Sequence, residues 1–148
     1  MPGARRKWSW AGASLGAGLI VLGCSGEDSS RPDCIELGSS CEPLYLPEFQ
    51  AVFDNTLSRT CAQAGGACHS AEGHHGGLVF TDIDQSYALL LGQDGGKARV
   101  KPGNASCSEL IVRLESVGED WQMPPGTALP ARERCSIRRW VELGAPRQ

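Results

Sequence analysis

Four side chains between residues 61 and 123 belong to residue types that bind metals. Cys61 is separated by six residues from Cys68, His69 follows directly, and Met123 stands before two prolines. Thiolates, imidazoles and thioethers are all ligands of transition metals. The chain also has 7 cysteines in 148 residues, a density that indicates an oxidising compartment, a cofactor, or both.

Zinc is one interpretation of these residues, with Cys61, Cys68, His69 and either His74 or His75 as ligands. Structural zinc ligands usually come in pairs about two to four residues apart, and the Cys61–Cys68 spacing is wider. Thiols of exported proteins also tend to be oxidised. Both points count against zinc.

The charge balance and the motif content exclude two broad classes of function. The chain has 14 Lys+Arg and 17 Asp+Glu, a net charge of -3, so it offers no basic surface for nucleic acid. No Gly-x-Ser-x-Gly, paired-carboxylate or phosphate-loop pattern is present. We therefore expect neither nucleic-acid binding nor an enzyme.

The first 24 residues read as an export signal. Residues 5–7 are basic, and residues 8–23 carry no charge but are too few and too rich in Gly and Ser for a spanning helix. Val21-Leu22-Gly23-Cys24 resembles the lipobox of bacterial lipoproteins, which implies cleavage before Cys24 and lipidation of its thiol. The alternative is an ordinary secretory signal with an incidental cysteine.

Cleavage would remove 23 of the 148 residues and leave 125, with 11 basic and 17 acidic groups and a net charge of -6. Several acyl chains on one residue anchor a protein firmly in a membrane. Ser25 after the cysteine favours, by resemblance, the outer membrane. We therefore predict a lipid-anchored protein of the bacterial cell envelope that faces the periplasm or the surface.

Three parts follow along the chain: a signal peptide (1–23), a lipidated cysteine with a polar tether (24–45) and a domain (46–148). Cys34 and Cys41 lie close together in the tether, which favours a local disulfide between them. That would leave Cys107 and Cys135 to pair with each other, although Cys135 falls opposite the apolar face of its helix.

Apolar periodicity predicts a mainly α fold of three to four helices with long loops. The predicted helices run over Leu46–Thr60, over Ser86–Leu91 as one or two turns, over Ala105–Ser116, and over Ala131–Leu143. Ser106 and Glu109 fit a capping box at the start of the third predicted helix. We expect Trp140 to lie in the core, packed against the first predicted helix. So few helices bury little apolar surface, and disulfides or a bound apolar cofactor would help such a domain to fold.

Several short motifs follow one another along the chain in an order that is typical of one family. It comprises Phe49 and Phe53, Cys61…Cys68-His69, Gly76-Gly77-Leu78, Lys101-Pro102-Gly103-Asn104, Ser108-Glu109-Leu110, Met123-Pro124-Pro125 and Ile137…Trp140-Val141…Gly144-Ala145. This order resembles small c-type cytochromes, specifically the cytochrome c-like domains of planctomycete and myxobacterial extracytoplasmic proteins. The resemblance runs from Leu46 to Pro146.

The resemblance implies one covalently bound haem c and a role in electron transfer. Cys61 and Cys68 would be the thioether donors, His69 the proximal iron ligand and Met123 the distal ligand that raises the reduction potential. With both axial positions filled by protein, electron transfer is favoured over oxygen binding. The redox partner is unknown, although the acidic mature chain suggests a partner with a basic face.

The haem motif departs from the usual one, which has two residues between the cysteines. The insertion here could bulge outward at Gly65-Gly66 so that both thiols still reach the haem, or Cys68 alone could attach it. A different alternative is a haem-free envelope lipoprotein that binds a partner or supports a complex. In that protein Cys61 and Cys68 would form a disulfide and His69 would lie at the surface.

Overall fold

The computed structural model describes residues 31–62 and 68–148. Four α-helices occur in these ranges: α1 (Phe49–Val52), α2 (Ile83–Leu91), α3 (Glu109–Glu115) and α4 (Ala131–Glu142). Short 3-10 turns lie at His75–Gly77 and Ala105–Cys107. The described ranges contain no β-strand, and the predicted mainly α fold is confirmed.

The first helix changes its winding after α1. A π-helical segment, Phe53–Cys61, continues it without a break, with the Ala62 amide donating to the Leu57 carbonyl at 2.9 Å. The sequence predicted one α-helix starting at Leu46, but Leu46 is 67% exposed and helical structure begins only at Phe49. Because the π-helical segment ends at Cys61, its winding determines the position of the Cys61 side chain. π-Helical turns are frequent at functional sites.

The core joins the first and last helices. Phe49 of α1 lies 5.1 Å from Trp140 of α4 and 5.0 Å from Tyr87 of α2 between ring centroids. Trp140 has no exposed surface, and its indole N–H donates to the Pro146 carbonyl at 2.9 Å. The predicted packing of Trp140 against the first helix is therefore confirmed.

The start of the third helix differs from the prediction. Glu109 is its first residue, and the predicted capping box with Ser106 is wrong. Residues 105–107 form a 3-10 turn instead, capped by the Asn104 side chain, which accepts from the Cys107 amide at 3.3 Å. The Ser106 hydroxyl donates to the same Asn104 oxygen at 3.1 Å and so belongs to that turn rather than to a cap of α3.

Residues 31–45 lie along the domain and are held to it at several points; we call this segment the arm. The Ile35 amide donates to the Ser106 carbonyl at 2.9 Å, and the Leu44 amide donates to the Ser136 hydroxyl at 2.8 Å. The Arg138 guanidinium donates to the Gly38 carbonyl at 2.6 Å. The described part of the predicted tether is thus fixed to the domain, while residues 24–30 lie outside the described ranges.

Two disulfides fasten the arm, and they correct the predicted pairing. Cys34 is bonded to Cys107, 73 residues away, and Cys41 to Cys135, 94 residues away. The local Cys34–Cys41 bond and the Cys107–Cys135 bond were both wrong. The arm crosses the turn before α3 and then α4, so each arm cysteine meets a different domain cysteine. That crossing is a long-range contact which the local spacing of cysteines does not encode.

The predicted signal segment and Cys24 lie outside the described ranges. Within residues 31–62 and 68–148, the helices are too short and too polar to cross a membrane.

Candidate haem site

A cavity of about 440 Å³ lies beside the π-helical segment. All four predicted site residues line it: Cys61, Cys68, His69 and Met123. They come from the end of the first helix, the following loop and the loop before α4, so the fold collects them from distant parts of the chain. The volume falls within the range of about 300–1,000 Å³ that is usual for cofactor and ligand pockets.

The two cysteine positions are brought together by the backbone. The His69 amide donates to the Cys61 carbonyl at 3.1 Å, so the chain that leaves at Cys61 returns beside it. The His75 amide then donates to the Cys68 carbonyl at 3.0 Å and fixes the next turn. The inserted residues therefore do not separate the ends of the motif, although the Gly65-Gly66 bulge itself lies outside the described residues.

Both backbone groups of His69 make hydrogen bonds, and its ring contacts a neighbouring aromatic side chain. Its carbonyl accepts from the Phe80 amide at 2.8 Å, and its ring centroid lies 5.0 Å from that of Phe80. Burial lowers the pKa of His69 below its ordinary value, so the imidazole is neutral at pH 7. Its Nδ1 atom is buried and has no hydrogen-bond partner among the described residues. A neutral, incompletely bonded imidazole is suited to a metal ligand.

Neither thiol at the cavity is oxidised. Cys61 and Cys68 take part in no disulfide, so the Cys61–Cys68 bond of the haem-free alternative is not formed in this structure. Burial, followed by the charges of Glu133 and Cys68, raises the pKa of Cys61 to about 12. The Cys61 group is therefore a neutral thiol at physiological pH and not a reactive thiolate.

A hydrogen-bonded chain of side chains runs behind Cys61. Thr56, which is fully buried and lines the cavity, donates to the Glu133 carboxylate. Its oxygen lies 2.7 Å from the Tyr45 hydroxyl. Because the Thr56 proton is given to Glu133, Tyr45 is the donor in this pair. Burial raises the pKa of Tyr45 to about 12, which keeps that proton in place.

Met123 reaches the cavity from a loop that is fixed by α3. Its amide donates to the Arg113 carbonyl at 2.9 Å, and Pro124 and Pro125 line the cavity beside it. Each proline ring fixes one backbone torsion. The loop therefore presents the Met123 thioether on a constrained backbone.

Gln122 is a site residue that the sequence reasoning missed. Its side chain is 4% exposed and joins three points of the Met123 loop. It accepts from the Gly118 amide at 2.7 Å and donates to the Pro124 carbonyl at 2.7 Å and the Gly126 carbonyl at 3.3 Å. A glutamine in a polar loop is typical of the surface, so nothing in the local pattern signals its burial.

The wall of the cavity is apolar on one side and charged on another. The apolar lining includes Leu57, Leu78, Phe80, Leu110, Leu114 and Ile137, and the charged lining is Arg31, Lys97, Arg99, Glu109 and Arg113. The charged residues were not predicted as site residues. They come from three short segments, the arm, residues 97–99 and α3, whose proximity no local motif predicts.

The described part of the chain does not support the zinc interpretation. No group of three or more His, Cys, Asp and Glu side chains there is arranged to hold a metal ion. His74 and His75 are both exposed. The raised pKa of Cys61 also disfavours the thiolate that zinc requires.

The family model for planctomycete cytochrome C matches residues 66–126. The match supports a cytochrome c-like domain. It includes Cys68, His69 and Met123, and it begins after Cys61, so the first cysteine of the motif lies outside the part of the chain that is similar to this family. No curated protein and no solved structure shows significant similarity to the chain.

Proposed function

We propose that this protein is an electron-transfer protein that binds one covalently attached haem in the cavity. The observation that carries the proposal is the convergence of Cys61, Cys68, His69 and Met123 on one largely apolar cavity. The match to planctomycete cytochrome C supports the same assignment. The donor set fits haem c, because it supplies two thiols, an imidazole and a thioether.

In this proposal His69 and Met123 would bind the haem iron, and Cys61 and Cys68 would hold the macrocycle through their thiols. Bound haem would supply a reversible one-electron couple. The burial of His69 keeps its imidazole neutral and able to donate its lone pair. The Met123 thioether has no proton to lose, so its availability does not vary with pH.

The apolar wall of the cavity has a separate part in the proposed function. Side chains such as Leu57, Leu110 and Ile137 exclude water from the space beside His69 and Met123. Exclusion of water favours the less charged, reduced state of a bound iron centre and limits access of competing small ligands. The chain's own residues thus tune the site towards electron transfer rather than catalysis, and we propose no enzymatic activity.

We further propose that the protein works at the bacterial cell envelope. The export signal, and the lipobox that ends in Cys24, would place a lipid anchor at the N-terminus of the mature chain. The outer membrane is the favoured site because Ser25 follows the lipidated cysteine. The electron donor and acceptor would then be envelope proteins that carry a basic docking face.

A second candidate is a haem-free envelope lipoprotein that acts as a binding module. The two disulfides favour it, because they stabilise the described fold without any cofactor. In that case Cys61 and Cys68 would be oxidised in the mature protein, whereas both are free thiols in this structure.

The proposal is tested by a redox titration of the full chain, exported in a bacterium that has a c-type haem-attachment system. We expect a reversible one-electron transition that converts an oxidised low-spin haem spectrum into a reduced one. A colourless protein, from a host that matures a control cytochrome, would contradict the proposal and leave the binding-module candidate.

A further inference from the structure

One edge of the cavity carries several cations that converge on a single carboxylate. Glu109 lies 2.8 Å from Lys97 Nζ, 3.1 Å from Arg113 Nε and 3.6 Å from Arg99 Nε, and it also pairs with Arg31. All five residues line the cavity. Partial burial alone would raise the pKa of Glu109, but the bonds to Lys97, Arg31 and Arg113 lower it to about 2. The carboxylate is therefore fully ionised.

The positive charge at this edge exceeds what Glu109 can neutralise. Arg31, Lys97 and Arg99 alone place three cations around one carboxylate, and Glu109 is the one acidic side chain among the described lining residues. The Arg31, Arg99 and Glu109 side chains are only 17%, 18% and 15% exposed, so water compensates them poorly. The excess is unusual in a chain whose net charge is -3. Lys97 is 64% exposed and is screened by water, and the terminal nitrogens of Arg99 also donate to the Lys97 and Gly76 carbonyls at 2.7 Å. The excess charge that water compensates poorly is therefore that of Arg31 and Arg99, and it favours binding of an anion.

We infer that Arg31, Lys97 and Arg99 form an anion-binding edge that receives the carboxylate groups of the molecule bound in the cavity. The inference rests on the proposed function, since haem carries two propionate carboxylates on one edge of an otherwise apolar macrocycle. That distribution of charge matches a cavity with an apolar wall and one cationic edge. Guanidinium groups are well suited to carboxylates because they bind them through paired N–H donors.

Arg31 has a special place in this edge because the arm supplies it. The Cys34–Cys107 disulfide and the hydrogen bond from Ile35 to Ser106 fix the arm next to the turn before α3. Arg31 lies outside residues 66–126, so the similarity to planctomycete cytochrome C does not include it. The arm is thus part of the binding site, and Arg31 is a positioning residue for the ligand's carboxylates.

The first test uses the full chain with Cys61→Ala and Cys68→Ala, which binds haem only non-covalently. Haem is compared with haem dimethyl ester, which lacks free carboxylates, in the same detergent. Hydrogen bonds to charged groups are worth about 1.5–3 kcal/mol each, so we expect haem to bind about tenfold or more tightly than its ester. Arg31→Gln should reduce this preference, and Arg31→Lys should restore part of it.

Arg132→Gln is the matched control. Arg132 also joins the arm to the domain, through Glu42 at 3.0 Å, but it is 54% exposed and does not line the cavity. We expect the preference for haem over its ester to be unchanged in this variant. A loss of the preference in both variants would show a general effect of the arm and would overturn the role of Arg31.

The remaining outcomes separate this inference from the proposed function. Equal binding of haem and its ester would overturn the anion-binding edge and leave the proposed function intact. If neither molecule binds, the result contradicts both the anion-binding edge and the proposed haem-binding function. A second measurement guards against a cysteine variant that does not fold: in the covalently loaded chain, Arg31→Gln should shift the reduction potential to lower values, and Arg132→Gln should not. An unchanged potential in Arg31→Gln would contradict the inference.

Discussion

The His69 amide donates to the Cys61 carbonyl at 3.1 Å, and this bond joins the two ends of the Cys61…Cys68-His69 motif. In the usual motif two residues separate the cysteines, and here six do. Because His69 is hydrogen-bonded directly to Cys61, the described ends of the motif lie next to each other. The two thiols and the imidazole therefore share one cavity in spite of the insertion.

Replacement of His69 tests the proximal ligand. His69→Ala removes the buried imidazole beside Phe80, so we expect loss of the low-spin haem spectrum and a less stable fold. Absorption spectra of the exported protein measure the first effect. His74→Ala is the control, because His74 is exposed and does not line the cavity. Retention of the low-spin spectrum in His69→Ala would show that another residue is the ligand.

Replacement of Met123 tests the distal ligand. Met123→Ala should leave a coloured protein, because Cys61, Cys68 and His69 are untouched. The reduction potential should fall, since a thioether ligand raises it, and the open position should accept added small ligands. Spectroelectrochemical titration measures the potential. An unchanged spectrum and potential would refute this assignment.

The buried side chain of Gln122 is expected to hold Met123 in place. Gln122→Ala leaves the Gly118 amide and the Pro124 carbonyl without their partner, at a cost of about 1–3 kcal/mol in the free energy of unfolding. The spectral signature of methionine ligation should weaken with it. Urea unfolding and the absorption spectrum together measure both effects.

Gln50→Ala is the control for that experiment. The Gln50 side chain also makes a hydrogen bond, to Asp54 at 2.8 Å, but it is exposed on the first helix. An exposed substitution of this kind changes stability by less than about 0.5 kcal/mol. If the two glutamine variants behave alike, the Met123 loop does not depend on Gln122.

The disulfide between Cys41 and Cys135 should stabilise the domain strongly. It joins residues 94 positions apart, but the remaining Cys34–Cys107 bond shortens the loop that it closes in the unfolded chain to roughly 35 residues, for which the chain-entropy model gives about 4 kcal/mol. We expect Cys41→Ala with Cys135→Ala to lower the free energy of unfolding by about that amount, measured by urea unfolding. A change below about 1 kcal/mol would mean that the arm is held chiefly by non-covalent contacts such as the Leu44–Ser136 hydrogen bond.

Local sequence patterns predicted those parts of the fold that local physics determines. The last helix was predicted over Ala131–Leu143, and it runs over Ala131–Glu142. The prediction is close because Pro130 and Gly144 mark the two ends of the helix in the sequence. The second helix was predicted from Ser86 but starts at Ile83. The Asp82 side chain caps it by accepting from the Gln85 amide at 2.8 Å.

Features that depend on long-range contacts were not predictable in this way. The partners of Cys34 and Cys41 depend on the path of the arm over α3 and α4, and a single sequence does not contain that path. The burial of Gln122 and the charge around Glu109 depend likewise on segments that meet only in the folded chain. The four predicted site residues were found because cysteine, histidine and methionine signal chemistry by their type alone.

Covalent attachment of haem is the central claim, and a pyridine haemochrome spectrum tests it most directly. The full chain would be exported in a bacterium with a c-type haem-attachment system, purified and denatured before the measurement. We expect a sharp reduced α-band of the thioether type, whose position shows whether Cys68 alone or both Cys61 and Cys68 are bonded. No haem band, alongside a matured control cytochrome, would contradict the account.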